Sequence, residues 1–351
     1  MASNDEQMGA PRAGGADRAG FAHRKLLGVL SGSWLAQACY AVVKVGVPDL
    51  LAEGPRTVDD LAAASGADAG ALYRLLRALA ASGIFRQPAG RTFAHNPVSE
   101  LLRTDAAGSA YLIALMHGEE VFRSFAEIMH TVRTGGPAFE QVYGTTFYRY
   151  LDANPEAART FNQAMGDQGV LPSLSTCDFT GVDTLVDVGG GDGALLVDVL
   201  TTHPRMRAVL FERPDALQRA RARLAGADLA DRVEFVEGDF FDSVPAGGDA
   251  YVLARVLHNW TDEHAVELLR RVHTAMRPGA RLFVLENLLP EVGEPAAGAG
   301  LGDLLMLVTL EGRDRTDGEY RELLVKAGFS VLALRRAAGQ PTSAVIEAIP
   351  T

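Results

Sequence analysis

Lysine is scarce in this chain of 351 residues: Lys25, Lys44 and Lys326 are the only three, so arginine supplies nearly all of the 33 basic residues. Acidic residues number 44, which gives a formal net charge of -11 at pH 7. A chain that acidic is repelled by phosphate backbones unless a local basic patch outweighs the net charge, and no run of basic residues supplies one. The composition therefore predicts no nucleic-acid partner.

Cysteine and long apolar runs are scarce as well. Cys39 and Cys177 are the two cysteines, and their wide separation is typical of neither a disulfide framework nor a zinc site. No stretch reaches the uninterrupted apolar length of a membrane helix, and the first 20 residues lack the apolar centre of a signal peptide. The sequence predicts a cytoplasmic protein with reduced cysteines, no metal and no membrane partner.

The N-terminal part begins with a Gly- and Ala-rich segment, residues 1–20, which is predicted to be a disordered arm. Thr57 is placed to cap one helix, and a second helix is predicted over Ala69–Ser82. A short strand at Ile84–Phe85 is expected to turn back and form a two-stranded wing. This order of elements predicts a winged-helix domain over residues 21–105.

A winged helix allows two interpretations. The helix over Ala69–Ser82 could enter a DNA groove, or the domain could hold two subunits together. Arg74 and Arg77 are the only basic residues on that helix, and the chain is acidic, so the structural role is favoured. The apolar stripe from Leu26 to Val42 is long for a free surface, which predicts a homodimer.

Residues 106–170 are predicted to form a helical linker that contributes to a substrate pocket. Glycines break its helical pattern at Gly135–Pro137 and at Tyr143–Thr145. Aromatic side chains are dense here, and some of them, such as Phe147 and Phe161, could wall a pocket for a flat ligand.

Strands and helices alternate over the last part of the chain, residues 171–351. The expected strands are Thr184–Val188, Ala208–Glu212, Val233–Glu237, Ala250–Ala254, Leu282–Glu286, Val331–Leu334 and Ser343–Ala348. This alternation predicts an α/β fold, a Rossmann-like, doubly wound sheet of seven strands with helices on both faces.

A glycine cluster follows the first of these strands. Gly189, Gly191 and Gly193 do not have the spacing of a dinucleotide fingerprint, and no Lys-Ser/Thr pair follows them as in a phosphate-binding loop. Asp187 precedes the cluster, and an acid there suits a cationic ligand with an amino group, such as S-adenosylmethionine. Glu212, about twenty residues on, is placed to bind ribose hydroxyls.

Two further motifs end neighbouring strands at the sheet edge where folds of this type bind ligands. Asp239 could accept a hydrogen bond from an adenine amino group, and Phe240 could lie against the adenine ring. His258 follows the fourth strand. A lone histidine is more often structural than catalytic, but this one shares its edge with Gly191 and Glu212.

Taken with their order along the chain, these motifs resemble the small-molecule O-methyltransferases of plant phenylpropanoid and bacterial antibiotic pathways. The resemblance runs over nearly the whole chain from about residue 21. The motifs that carry it are Val186-Asp187-Val188-Gly189-Gly190-Gly191, Gly238-Asp239-Phe240-Phe241, and Leu257-His258-Asn259-Trp260 with Asp262. It implies an N-terminal dimerising domain and S-adenosylmethionine as the cofactor.

The resemblance also implies roles for individual residues. His258 matches the general base, and Glu286 matches the acid that holds this histidine. Asp314 stands where the family usually has glutamate, and Asn259 where it usually has aspartate. Met165 matches a methionine that packs over the acceptor ring.

The predicted site therefore has three parts. The catalytic residues are His258, Glu286 and Asp314. The cofactor-binding residues are Asp187, Gly189, Gly191, Glu212, Arg213, Gly238, Asp239, Phe240, Ala254, Arg255 and Trp260. The acceptor-binding residues are Phe147, Phe161, Met165, Asn259 and Met306.

The predicted activity is methyl transfer from S-adenosylmethionine to a hydroxyl of a small phenolic natural-product intermediate, in line and with a histidine base. Transfer to carbon or nitrogen is an alternative on the same fold. A non-methylating hydroxylase or decarboxylase that binds the same cofactor is another. A transcription regulator built on the winged helix is the alternative from a different class.

Overall fold

The structure is a computed structural model that describes residues 14–167, 169–293 and 297–351. The chain divides into two compact units, and the boundary in the sequence lies between Gly118 and Glu119. Most of the predicted linker, residues 106–170, thus belongs to the second unit. The predicted arm over residues 1–20 lies partly outside the described residues. Its part from Gly14 onward is helical, so the expectation of disorder is wrong there.

The first unit is mainly helical. Its elements are α1 (Gly14–Leu30), α2 (Gly32–Lys44), α3 (Val47–Leu50), β1 (Arg56–Thr57), α4 (Val58–Ser65), α5 (Ala69–Ala81), β2 (Arg86–Ala89), β3 (Thr92–Ala94), α6 (Pro97–Glu100) and α7 (Tyr111–Met116). Thr57 caps α4, since its hydroxyl accepts the backbone N–H of Asp60 at 3.2 Å. Asp68 caps α5 in the same way.

The wing differs from its prediction in two respects. The strand expected at Ile84–Phe85 begins two residues later, at Arg86, because the N–H of Ile84 still bonds the carbonyl of Leu79 at the end of α5, at 2.9 Å. The sheet has three strands in the order β1-β3-β2, since Arg56 pairs with Phe93 on β3.

Helices α1 and α2 carry apolar side chains that the unit itself leaves exposed. Leu27 and Leu30 on α1 are 50% and 63% exposed, and Trp34 on α2 is 76% exposed. No single helix of the described segments is long and apolar enough to span a membrane; Gly20–Leu30 and Gly32–Lys44, bent by 41°, meet the length and composition limits only as a pair.

The second unit starts with short helices around an aromatic core. These are a π-helical turn (His117–Val121) that crosses the boundary, α8 (Phe122–Ala126), α9 (Ile128–Thr134), α10 (Ala138–Tyr143), α11 (Phe147–Ala153), α12 (Pro155–Asp167) and a 3-10 turn (Pro172–Thr176). Glycine ends α9 and α10 as predicted, because Gly135 and Gly144 both take a left-handed backbone conformation.

The remainder of this unit alternates strands with helices. Its elements are β4 (Thr184–Val188), α13 (Ala194–Thr202), β5 (Arg207–Glu212), α14 (Pro214–Gly226), β6 (Val233–Glu237), β7 (Ala250–Ala254), α15 (Asp262–Ala275), β8 (Arg281–Leu289), α16 (Ala297–Thr309), β9 (Arg315–Thr316), α17 (Asp317–Lys326), β10 (Phe329–Ala337) and β11 (Gln340–Pro350). Short 3-10 turns lie at Ala230–Arg232 and Leu257–Asn259.

The strands form one sheet in the order β10-β11-β8-β7-β4-β5-β6, and β9 adds a two-residue pairing to β8. The five strands from β8 to β6 are parallel, and the terminal β10–β11 hairpin is antiparallel. The predicted doubly wound sheet of seven strands is confirmed, with β9 as an addition. Each face of the sheet carries its own apolar core, which explains why the central strands are nearly continuous apolar runs.

Candidate active site

The topology places the predicted motifs at one edge of the sheet. The path through the sheet begins at the central strand β4 and continues outward to β5 and β6. It then returns to the centre, where β7 pairs with the other side of β4. Ligands of open α/β sheets bind beyond the carboxyl ends of the strands at this switch point. The glycine loop follows β4, and the turn that carries His258 follows β7.

Asp187, near the end of β4, is a buried acid without a protein partner. Only 1% of it is exposed, and neither carboxylate oxygen has a hydrogen-bond donor within the described part of the chain. Burial, reinforced by the nearby Glu212, raises the pKa of Asp187 to about 8. A buried acid in this state is stabilised by a ligand that brings positive charge or N–H donors.

The glycine loop wraps closely around that carboxylate. A Cβ at Gly190 would overlap the Asp187 side chain, and one at Gly189 would press on Val256 at 3.1 Å. Gly189 and Gly191 take positive φ angles of 72° and 59°, which side chains other than glycine rarely adopt. The loop backbone at these positions therefore carries no side chain that would keep a ligand at a distance.

Glu212 ends β5 with its carboxylate turned toward the glycine loop. Its Oε2 accepts the N–H of Gly191 at 3.0 Å, and its Oε1 accepts the N–H of Arg213 at 2.8 Å. Burial raises the pKa of Glu212, although these two backbone bonds oppose the shift. Arg213 contributes this N–H, while its guanidinium pairs with Asp152.

Aromatic side chains lie beside the loop that follows β6. Phe240 contacts Trp260 edge-on with 5.8 Å between ring centroids, and Tyr148 stacks on Trp260, also at 5.8 Å. The indole Nε1 of Trp260 is buried without an acceptor among the described residues. Asp239 stays exposed and binds the N–H of Phe241 at 2.8 Å.

The chain leaves β7 through a strained residue. Arg255, just after Ala254, has a φ of 56°, which is unusual for a residue with a side chain. Its N–H still bonds Leu285 on β8 at 2.9 Å, and its guanidinium donates to the carbonyl of Gly169 at 2.9 Å. The strained residue directs the backbone into the turn at Leu257–Asn259.

His258 lies on that turn, beside two acids. Its ring Nδ1 is 3.0 Å from Glu286 Oε2 and 3.7 Å from Asp314 Oδ1. Glu286 Oε1 also accepts the N–H groups of Leu257 at 3.0 Å and His258 at 3.4 Å. The contact between Nδ1 and Glu286 is an ion pair when the ring is protonated. The structure thus brings the three predicted catalytic residues together.

The electrostatics favour a basic histidine. Burial alone would lower the pKa of His258, but the carboxylates of Glu286 and Asp314 outweigh it and raise that pKa above its ordinary value. Burial raises the pKa of Asp314 to about 6; Glu286 and Asp303 add to this, while His258 opposes it. Asp303 on α16, which the sequence analysis missed, accepts the N–H of Asp314 at 3.0 Å.

The predicted acceptor-binding residues are spread over several elements. Phe147 is buried in the aromatic core, where it contacts Phe161 edge-on at 5.0 Å between ring centroids. Asn259 donates its amide to the carbonyl of Arg255 at 3.3 Å, so in this structure it supports the turn. Met165 on α12 and Met306 on α16 are half-buried.

The donor set fits a cationic, nucleoside-bearing ligand. The site combines a buried carboxylate that has no partner among the described residues, a second acid at a strand end and a half-buried indole ring. The glycine backbone beside them can be approached closely by a ligand. Across residues 14–167, 169–293 and 297–351, no group of three or more His, Cys, Asp or Glu side chains could hold a metal ion.

Comparison with known protein families gives two matches. Residues 125–330 match the O-methyltransferase domain, and residues 27–105 match the O-methyltransferase dimerisation domain. The phenazine O-methyltransferase PhzM of Lysobacter antibioticus is 40% identical over 309 residues, which cover 87% of this chain and 90% of that protein. Other relatives of similar or lower identity are named as N-methyltransferases.

Solved structures agree with this match. The mitomycin 7-O-methyltransferase MmcR superposes with a TM-score of 0.90 at 38% identity, over 96% of this chain and 100% of that one. The O-methyltransferase NcsB1 from neocarzinostatin biosynthesis, solved with S-adenosylmethionine and 2-hydroxy-5-methyl naphthoic acid, has a TM-score of 0.80 at 32% identity. The superposition covers 90% of this chain and 96% of the NcsB1 chain.

Proposed function

Since this chain belongs to the S-adenosylmethionine-dependent O-methyltransferase family, we propose that it methylates a hydroxyl of a small phenolic natural product with His258 as the general base. The observation that carries the proposal is the position of His258 beside two buried acids, with Nδ1 3.0 Å from Glu286 and 3.7 Å from Asp314. Because Nδ1 faces the carboxylates, Nε2 on the opposite side of the ring is the nitrogen that accepts a proton.

The cofactor is S-adenosylmethionine, as in the related NcsB1 complex. When bound, it supplies an electrophilic methyl group on a positively charged sulfur. Asp187 would receive N–H donors of the ligand, Glu212 would accept its ribose hydroxyls, and Trp260 and Phe240 would line the adenine. Asp239, Gly238 and the backbone of Ala254 and Arg255 would complete this side of the site.

The histidine contributes by removing a proton. A phenol titrates near pH ~10, like a tyrosine side chain, and is therefore mostly protonated at neutral pH. His258 Nε2 would take this proton as the oxygen begins to bond, which is worth about 10² to 10⁴ in rate. Glu286 and Asp314 would stabilise the imidazolium, because both already raise the pKa of His258.

Alignment of the acceptor is the second contribution. An in-line displacement needs the oxygen held on the axis of the breaking bond, and orientation of this kind accounts for much of the barrier reduction in such reactions. We assign the alignment of the acceptor to apolar side chains on helices of the second unit: Phe161, Met165 and Met306. Phe147 contacts the ring of Phe161 edge-on and helps to fix it.

Methylation of nitrogen is the second candidate, because relatives of this chain at 40% and 34% identity are named as N-methyltransferases. An arylamine is already neutral at working pH and gains little from a general base before it attacks. The two candidates therefore differ in how much the reaction depends on His258.

A matched acceptor screen tests the proposal. Phenols, the corresponding anilines and the corresponding methyl ethers are incubated with a labelled methyl donor, first with the parent enzyme and then with His258→Ala. We expect label on the phenols only and its loss in the variant. Label on the anilines that survives in His258→Ala would replace the proposal by N-methylation.

We also propose a homodimer formed through the first unit. Residues 27–105 match the family's dimerisation domain, and α1 and α2 expose Leu27, Leu30 and Trp34. An apolar surface of this kind often marks an interface between proteins.

A further inference from the structure

We infer that Arg315 is a positioning residue for methyl transfer, because it fixes the backbone turn that presents His258. The inference rests on the proposed function, in which His258 is the base. The carbonyls of Leu257 and Trp260 flank the histidine, and both accept hydrogen bonds from the Arg315 guanidinium, at 3.1 and 2.7 Å.

The burial of Arg315 shows that it is more than a surface contact. The side chain is 0% exposed, and a buried cation is costly unless it is paired and fully hydrogen-bonded. Asp262 supplies the opposite charge, with Oδ1 2.9 Å from Nε and 2.8 Å from Nη2. The carbonyl of Arg313 takes a further bond at 3.3 Å, so each nitrogen of the guanidinium has at least one acceptor.

Arg315 is itself held on a rigid element. It forms β9 with Thr316, which pairs in parallel with Leu288 and Leu289 on β8. The side chain of Thr316 then caps α17 in a box with Glu319, so the backbone on both sides of the arginine is fixed. Tyr320 on that helix places its ring 5.8 Å from the guanidinium carbon.

The turn around His258 is therefore held from two directions. Glu286, on β8, accepts its N–H groups, whereas Arg315, anchored to the same strand, donates to its carbonyls. Removing either one leaves the turn held from one direction only. A shift of about 1 Å at a catalytic group can cost about 10²-fold in rate.

Lysine cannot replace the guanidinium here. Its ammonium is a point charge with three donors, and it cannot reach two carbonyls and a carboxylate through a planar fork. We expect Arg315→Lys to lower kcat/KM by about 10- to 100-fold and to leave the Kd for S-adenosylhomocysteine within about twofold. The acid limb of the kcat/KM profile should move to lower pH, because the ring would lie farther from Glu286 and Asp314.

Arg313→Met is the matched control. This arginine also pairs with Asp262, at 3.0 Å, but its side chain is 45% exposed and it pairs in addition with the side chain of Glu319 at 2.6 Å. We expect Arg313→Met to keep both the parent rate and the parent pH profile. Turnover is expressed per cofactor-binding site, so a variant that folds only in part is measured on its folded fraction.

A double-mutant cycle separates this inference from the function on which it rests. If Arg315 acts through His258, Arg315→Lys should cost nothing more in the His258→Ala background. A full additional loss there, or a loss in Arg315→Lys with an unmoved acid limb, would assign a purely structural role and overturn the inference. A parent-like rate in Arg315→Lys would also overturn the inference, because the guanidinium would then not be needed. Failure of both Arg315→Lys and Arg315→Met to bind cofactor would overturn it too, because the arginine would then be required for folding. Unchanged activity in His258→Ala alone would instead refute the base.

Discussion

Glu286 contacts His258 at two points: one carboxylate oxygen lies 3.0 Å from the ring Nδ1, and the other lies 3.4 Å from the backbone nitrogen of the same residue. One buried acid on β8 therefore fixes both the ring and the backbone of the histidine. Since Arg281–Leu285 of β8 pair with the whole of β7, and Glu286 is the next residue, the sheet sets the distance between the acid and the turn.

Replacing His258 by alanine should remove the base without disturbing the cofactor site. We expect kcat at pH 7 to fall by about 10² to 10⁴, with the Kd for S-adenosylhomocysteine nearly unchanged. The deficit should shrink toward high pH, because the phenol then ionises without help. Steady-state rates and calorimetric titration across the pH range measure both effects. A rate close to the parent at neutral pH would contradict the assigned role.

Replacing Glu286 by glutamine should change the pH dependence more than the geometry. The glutamine carbonyl can still accept the N–H of Leu257, but the negative charge is lost. Because the carboxylates of Glu286 and Asp314 raise the pKa of His258, the acid limb of kcat/KM lies above pH ~6.5 in the parent and should move down in Glu286→Gln.

The matched control for that substitution is Glu311→Gln, which neutralises an exposed acid paired with His264 at 3.2 Å. It should leave the acid limb where it is. An acid limb that is also unmoved in Glu286→Gln would show that this carboxylate does not set the basicity of the histidine.

The sheet could be predicted from the sequence because its parallel strands are short, mainly apolar segments with polar residues at or near their ends. Thr184–Val188, Val233–Glu237 and Ala250–Ala254 match the structure residue by residue. Since parallel strands end at one edge, the motifs after them meet there, and the proximity of His258 to Glu286 follows from the order of the strands.

The remaining features depend on contacts that have no local pattern. Arg315 reaches carbonyls 55 and 58 residues away, and Asp303 reaches a backbone N–H in the following loop. Nothing in the sequence around Arg315 or Asp303 distinguishes them from charged residues on the protein surface. The start of the wing strand was also misplaced, because the bond from the N–H of Ile84 back to the carbonyl of Leu79 in α5 has no signal of its own in the sequence.

Charge placed on the exposed stripe of α1 should separate the proposed dimer. A leucine buried at an interface contributes about 1.5 to 3 kcal/mol, and in a two-fold symmetric dimer each substitution acts twice. We expect Leu30→Glu to be monomeric by light scattering at micromolar concentration, where the parent is dimeric. Val325→Glu, an equally exposed site on α17, should remain a dimer. A parent that is itself monomeric would refute the proposed homodimer.

Asp187→Asn should stabilise the cofactor-free protein and weaken cofactor binding. The pKa of Asp187 is raised to about 8, so its contribution to stability is complete below pH ~4 and is lost as the pH rises through 8. The variant does not titrate, and its cofactor-free form should therefore unfold at a higher temperature than the parent at pH 8 to 9, but not at pH 4.

Cofactor affinity should change in the opposite sense, because a charged acceptor contributes about 1.5 to 3 kcal/mol, or about 10- to 100-fold in Kd. Thermal unfolding at several pH values and calorimetry with S-adenosylmethionine measure the two effects. Asp183→Asn, an exposed acid just before the same strand, is the control. Parent-like affinity in Asp187→Asn would remove this residue from the cofactor site.

Gly312→Ala should displace the catalytic turn through a single methyl group. A Cβ at Gly312 would overlap the carbonyl of His258 and would lie 2.7 Å from the Cα of Asn259, and both are backbone groups that cannot rotate away. A Cβ at Gly298 on α16 would have no atom of the described residues within 4 Å, so Gly298→Ala is the matched control. We expect Gly312→Ala to lose about 10²-fold in kcat, the cost of about 1 Å of misplacement, while Gly298→Ala keeps the parent rate. Cofactor affinity should be retained in both, because the glycine loop after β4 is untouched. If Gly312→Ala turned over at the parent rate, the close approach of this loop to the His258 turn would not be needed for catalysis.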